Sequence, residues 1–178
     1  SGTGSGTVTS SPGGISCGSD CSESYSDGTS VTLSAAPTAG STFAGWSGAC
    51  SGTGSCTVSM TAAKSVTATF TMDSYALSVS KSGAGSGTVT SNPAGISCGG
   101  DCSESYNYGT SITLSASPVV GSNFAGWSGA CSGTGSCTVT VDAAKSITAN
   151  FSLNNYILTT SINSGSGTIA GPGVSCPG

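Results

Sequence analysis

The sequence predicts an all-β protein made of tandem small modules, about six short strands each, stapled by disulfides. Three observations lead there. The first is composition. Gly occurs 29 times, only 6% of residues are charged and 35% are hydrophobic. Val, Ile, Leu, Ala and aromatic residues are spaced by Ser and Thr, a mixture suited to strands and turns. The strong helix formers Glu, Lys, Gln and Arg are nearly absent. The second is an internal repeat, and the third is a set of nine cysteines placed by that repeat.

The repeat has a period of 81 residues. Residues 1–70 align with residues 82–151 without a gap, with 16 differences in 70 positions. Exchanges such as Val31 for Ile112 and Val66 for Ile147 keep volume and apolarity, as a shared fold requires. A third copy begins at Tyr156-Ile157-Leu158, which matches Tyr75-Ala76-Leu77. The expected domains are therefore residues 1–73 (a first repeat lacking its first strand), 74–154 (a complete second repeat) and 155–178 (the start of a third). Neither end coincides with a repeat boundary, so the expectation is a stretch of a longer array.

The second repeat carries the strand pattern. Tyr75, Leu77 and Val79 alternate with Ala76, Ser78 and Ser80, as on a half-buried strand. A Gly-rich turn at Gly83 to Gly87 leads into Thr88-Val89-Thr90, and Asn92 to Gly95 ends that strand. A loop holding Cys98 and Cys102 follows. Ile112, Leu114 and Ala116 alternate up to Pro118, Phe124 to Trp127 is a short strand, and Cys137, Val139 and Val141 alternate again. Ala143-Ala144-Lys145 turns the chain into a last strand with Ile147, Ala149 and Phe151 inward.

Each repeat holds a Cys-x3-Cys pair (Cys17 and Cys21; Cys98 and Cys102) and a Cys-x5-Cys pair (Cys50 and Cys56; Cys131 and Cys137). Four cysteines allow three pairings, and the sequence alone does not choose. Local pairing is favoured, because both spacings close short Gly- and Ser-rich loops. Cys176 stands where Cys17 and Cys98 do, without a following partner, and is expected to be the unpaired ninth. A four-cysteine zinc site is the sharper alternative: the first spacing fits the usual ligand interval, the second is loose, and no histidine helps. Cysteines used this way point to an oxidising, extracellular or cell-surface location.

Chemistry is sparsely provided. With no histidine, no Ser-His-Asp or Cys-His arrangement exists. Asp20 and Glu23 recur as Asp101 and Glu104, but they sit in a tight cysteine loop and read as solvated carboxylates. Lys64 and Lys145 occupy a turn; a Lys–Asn cross-link of the kind found in some surface pilins finds no Asn in the first repeat. The expectation is no enzyme and no cofactor. Three lysines and no arginine at a net charge of −4 exclude a nucleic-acid surface. No apolar run approaches the roughly 18 residues of a membrane helix. Trp46 and Trp127, in the shared string Phe-Ala-Gly-Trp-Ser-Gly-Ala-Cys, and Tyr25 and Tyr106 after the first cysteine loop are core anchors, inter-module contacts or sugar-stacking platforms.

The string Gly45 to Val58 with Ala62 to Phe70, recurring at Gly126 to Val139 and Ala143 to Phe151, resembles the divergent internalin-type B-repeat of bacterial surface proteins. The resemblance covers both repeats and the start of the third. It implies β-grasp-like spacer or stalk modules in secreted or surface proteins, a fold that often carries a short helix, for which this sequence shows no pattern. It implies no catalytic residue and no particular ligand.

Near-identical modules in one chain present the same faces repeatedly, as quasi-one-dimensional arrays do. The expected function is a structural extracellular filament, fibre or surface stalk of stacked β modules that self-associates with like repeats or subunits. The alternative is an adhesin or carbohydrate-binding module using Trp46 and Trp127 on surface glycans. The surplus strand expected over Tyr156 to Ile162, and its missing counterpart in the first repeat, point to strand addition between protomers.

Overall fold

The computed structural model describes residues 2–161, 169–172 and 174–176. The first module contains β1 (Gly6–Ser11), β2 (Ser16–Cys17), β3 (Ser30–Pro37), β4 (Ser41–Gly48), β5 (Cys56–Ser59) and β6 (Val66–Met72). The second contains β7 (Ser74–Ser82), β8 (Gly87–Asn92), β9 (Ser97–Cys98), β10 (Ser103–Asn107), β11 (Ser111–Pro118), β12 (Ser122–Gly129), β13 (Cys137–Thr140) and β14 (Lys145–Leu153). Beyond them β15 (Ile169–Gly171) pairs antiparallel with β16 (Val174–Cys176).

The second module is a sandwich of two four-stranded sheets. One runs β13-β11-β8-β9 and is antiparallel throughout. The other runs β10-β7-β14-β12, with β7 parallel to β14 at its centre. Period-two alternation turns one face of each strand inward. Ile112 and Leu114 of β11 and Val89 of β8 meet Leu77 and Val79 of β7 and Ile147, Ala149 and Phe151 of β14 in one core. Leu77, Val89, Ile112, Leu114 and Ala149 are wholly buried.

All six strands expected from the sequence are present, with two additions. The stretch read as a plain cysteine loop contains β9 and β10. A two-residue strand and a strand reading Ser-Glu-Ser-Tyr-Asn carry too little apolar alternation to announce themselves. The second layer is a sheet, and no helix occurs among the described residues, so the module departs from a helix-bearing β-grasp while staying all-β.

The first module repeats only part of this plan. Its sheet β2-β1-β3-β5 matches β9-β8-β11-β13, but its second sheet holds β4 and β6 alone. No strand corresponds to β7 among the described residues. A consequence follows at residues 22–26. These read Ser-Glu-Ser-Tyr-Ser, nearly the sequence of β10, yet form no strand. In the second module β10 pairs with β7, through Glu104↔Leu77 and Tyr106↔Tyr75, and no counterpart of β7 stands among the described residues of the first.

Burial records the same gap. Val8, Ile15, Cys17, Tyr25, Met60, Val66 and Ala68 are all half-buried. Their counterparts Val89, Ile96, Cys98, Tyr106, Val141, Ile147 and Ala149 are buried. The strand expected over Tyr156 to Ile162 is likewise not formed: residues 155–161 carry no regular structure, and Ile162 lies outside the described residues.

Two outcomes follow. Amides of β3 should exchange with deuterium faster than the matching amides of β11, because the core under β3 is incomplete. Leu77→Ala should cost the second module about 2–5 kcal/mol, with little change in the first, measured by denaturant unfolding followed separately through Trp46 and Trp127.

Candidate functional site: an open groove in the first module

Among the described residues a groove of about 590 Å³ lies between the two sheets of the first module. Its floor includes Val8, Val31, Leu33, Val58 and Phe70. One wall is the start of β6 and the turn before it, with Lys64, Ser65, Val66 and Thr67, and the other is the residue 21–25 stretch, with Glu23 and Tyr25. In the second module the same space is filled by Leu77 and Val79.

Trp46 and Trp127 are 6% and 5% exposed. Each is held by a motif that the repeat preserves. The ladder skips a residue between Phe43 and Gly45, and again between Phe124 and Gly126. Gly45 and Gly126 sit at φ of 138° and 132°, where a side chain would be strained. The bulge turns the tryptophan inward. Trp46 Nε1–H donates to Gly54 O (2.8 Å) and its backbone N–H to Gly52 O (2.8 Å). Trp127 does the same with Gly135 (2.7 Å) and Gly133 (2.7 Å). Phe43 and Phe124 close on the rings edge-on at 5.0 and 4.9 Å. The Gly-Trp motif thus clamps the cysteine loop to the sheet. A buried indole offers no face to a sugar, so the reading of Trp46 and Trp127 as a carbohydrate platform is corrected: both are core anchors.

Tyr106 is buried and Tyr25 half-buried. Their hydroxyls bond Ser91 Oγ (2.9 Å) and Ser10 Oγ (2.7 Å), and those serine oxygens accept from the Ile96 and Ile15 N–H groups. They brace a loop. Disulfides join Cys17 to Cys21, Cys50 to Cys56, Cys98 to Cys102 and Cys131 to Cys137, all locally. With their sulfurs so engaged, no cluster of metal-binding side chains exists among the described residues. The side chain of Cys176 lies outside the described residues.

The loop carboxylates cap backbone. Asp20 and Asp101 accept from the N–H groups of Ser22 and Ser103 (3.2 Å each), and Glu23 and Glu104 from Ser24 and Ser105 (2.7 and 2.8 Å). Lys145 lies 2.7 Å from Asp142 and, with its charge, holds that carboxyl below the usual carboxylate range. The stabilisation this brings is present above the ordinary carboxylate pKa and is lost as pH falls through the depressed one. In the first module Thr61 replaces Asp142, and Lys64 lines the groove instead.

A second feature was not legible in advance. β6 passes into β7 through the single residue Asp73. Its N–H donates to Gly40 O (2.9 Å), its carbonyl accepts from Tyr108 N–H (2.8 Å), and its Oδ1 accepts from Thr42 Oγ1 (2.7 Å). The Tyr108 ring lies so close over Gly40 that a Cβ there would overlap it. The only signal in the sequence is that Tyr108 replaces Asp27, the one aromatic gained among the differences between repeats.

A family model for the divergent InlB B-repeat domain matches residues 1–74 and again 77–155. The chain belongs to the divergent InlB B-repeat domain family. No curated protein sequence matches it significantly. Among solved structures it is similar to the major pilin protein (T-13) from Streptococcus pyogenes serotype GAS131465, at 11% identity and a TM-score of 0.40. That alignment covers 70% of this chain and 66% of the pilin chain, so the chain spans just under two thirds of that protein.

Peptide mapping of the unreduced protein should return the four local disulfides. Reducing Cys131–Cys137 should cost the second module about 2 kcal/mol by loop entropy and red-shift Trp127 emission as its Nε1 acceptor is released.

Proposed function

We propose that this B-repeat chain is a structural extracellular protein whose β modules stack into a rod, stalk or fibre. The observation that carries the reading is the junction at Asp73. Both backbone groups and the carboxylate of the one linking residue are engaged, two of these bonds reaching Gly40 and Thr42 of the first module and one reaching Tyr108 of the second. A one-residue link so held is a strut, not a hinge. The start of the same junction recurs one repeat on, where Asn154 N–H donates to Gly121 O (2.9 Å). Equal junctions between equal modules generate a regular array.

Four disulfides support an oxidising, extracellular location, in keeping with a family of surface repeats. The carboxylates cap backbone and the tryptophans are buried, which supports a structural role over catalysis or glycan binding. The modules of this array are residues 1–73 and 74–154, with a third beginning at 155.

Small-angle scattering of the 178-residue chain tests this reading. The account expects an elongated particle with one fixed separation between modules. Inserting Gly-Gly after Asp73 should broaden that separation while leaving the unfolding of each module within about 0.5 kcal/mol. A parent chain that already samples a broad range of separations would refute the strut.

A further inference from the structure

The edge of a β-sheet presents unpaired N–H and C=O groups to any passing strand, and near-identical modules repeat that hazard. The charged side chains that native edges usually carry are scarce here, at 6% of the sequence, so where they sit matters. Among the described residues of the second module, β13 and β9 are the edges of one sheet and β10 and β12 those of the other. β13 is only 4 residues long, and the Trp127 N–H of β12 is taken by Gly133 O of the Cys131–Cys137 loop (2.7 Å). The remaining edges, β9 and β10, are joined through the Cys98–Cys102 loop and so share one side of the module.

The hydrogen bonds fix which groups of β10 point away from β7. Val79 N–H donates to Cys102 O (2.7 Å) and Tyr108 N–H to Asp73 O (2.8 Å). In an antiparallel ladder such bonded pairs recur at every second residue. Glu104 and Tyr106 therefore turn their backbone groups to β7, and Ser103, Ser105 and Asn107 turn theirs outward. Three of these outward groups are occupied. Ser103 N–H donates to Asp101 Oδ1 (3.2 Å) and Ser105 N–H to Glu104 Oε1 (2.8 Å). The Asn107 carbonyl accepts from Thr110 N–H (3.1 Å) and Thr110 Oγ1 (2.7 Å). Asp101 acts on the other sheet as well, where its carbonyl accepts from Ser97 N–H of β9 (3.0 Å). One residue of the disulfide loop thus covers an edge of each sheet.

We propose that Asp101 and Glu104 block strand addition to this side of the module by a second copy of the chain. An incoming strand has to strip the carboxylates from the Ser103 and Ser105 amides and leave them against the new strand without those partners. Hydrogen bonds to charged groups are roughly twice as strong as those between neutral ones, so the exchange is unfavourable.

The arrangement is built into the repeat. Gly95 leaves the room in which Glu104 folds back, since a Cβ there would stand 2.7 Å from Glu104 Cγ. The first module keeps every part. Ser16 N–H donates to Asp20 O (3.0 Å), Ser22 N–H to Asp20 Oδ1 (3.2 Å) and Ser24 N–H to Glu23 Oε1 (2.7 Å), with Gly14 against Glu23. Residues 22–26 form no strand, so the caps belong to the cysteine loop itself and do not need the ladder. The proposal goes beyond the stacking reading: it concerns the side of a module and not its ends, and it holds whether or not modules stack.

Hydrogen exchange and sedimentation of the 178-residue chain test it, in a Cys176→Ser background that excludes thiol exchange. In the dilute parent the Ser103 and Ser105 amides should be protected, although no strand faces them. A variant combining Asp20→Ala, Glu23→Ala, Asp101→Ala and Glu104→Ala should free those amides and associate at a concentration at least about 10-fold below that of the parent. The matching variant with Asp20→Asn, Glu23→Gln, Asp101→Asn and Glu104→Gln removes the same charge but keeps an acceptor oxygen at each place, and should sediment like the parent. An alanine variant that associates no sooner than the parent would overturn the proposal. So would an Asn and Gln variant that associates as readily as the alanine one, because net charge and not the caps would then keep chains apart. Ser103 and Ser105 amides that exchange freely in the dilute parent overturn it too, and that measurement needs no variant to fold. None of these outcomes reads the separation of modules in scattering, so the stacking reading stands or falls separately.

Discussion

The parallel pairing of β7 with β14 is the constraint on which the rest of the structure depends. β7 is the first strand of its module in sequence but sits at the centre of the second sheet, between β10 and β14. It completes one sheet, induces the strand character of β10, and closes the core with Leu77 and Val79. In the first module, with 16 differences in 70 positions, no counterpart of β7 stands among the described residues. There the second sheet holds two strands, residues 22–26 form no strand, and Val8, Ile15 and Val66 are half-buried beside the buried Val31, Leu33 and Trp46.

The disulfides and the Gly-Trp clamp act on a different level. They fix loops onto sheets in both modules alike, whether or not β7 is present. Trp46 and Trp127 keep the same hydrogen bonds, the same edge-on phenylalanine and nearly the same exposure. The side of each module carrying the clamp thus forms alike in both.

Much of this was legible in the sequence. The all-β class, the period and the six apolar strands follow from alternation and repetition, because period-two patterns report one buried face directly. β9 and β10 were not legible, since Ser-Cys and Ser-Glu-Ser-Tyr-Asn acquire strand geometry only from their neighbours. The burial of the tryptophans could not be read because a Gly-Trp pair looks the same whether the bulge turns the ring in or out. The Asp73 strut was hidden for a simpler reason: its partners Gly40, Thr42 and Tyr108 are far apart in the chain and belong to two modules.

Hydrogen exchange at the Asp73 junction gives the most direct test of the account. The amides of Asp73 and Tyr108, which donate to Gly40 O and Asp73 O, should be as protected as the ladder amides of β6 and β7 on either side. Amides at Asp73 and Tyr108 that exchange as fast as those of an exposed loop would contradict it.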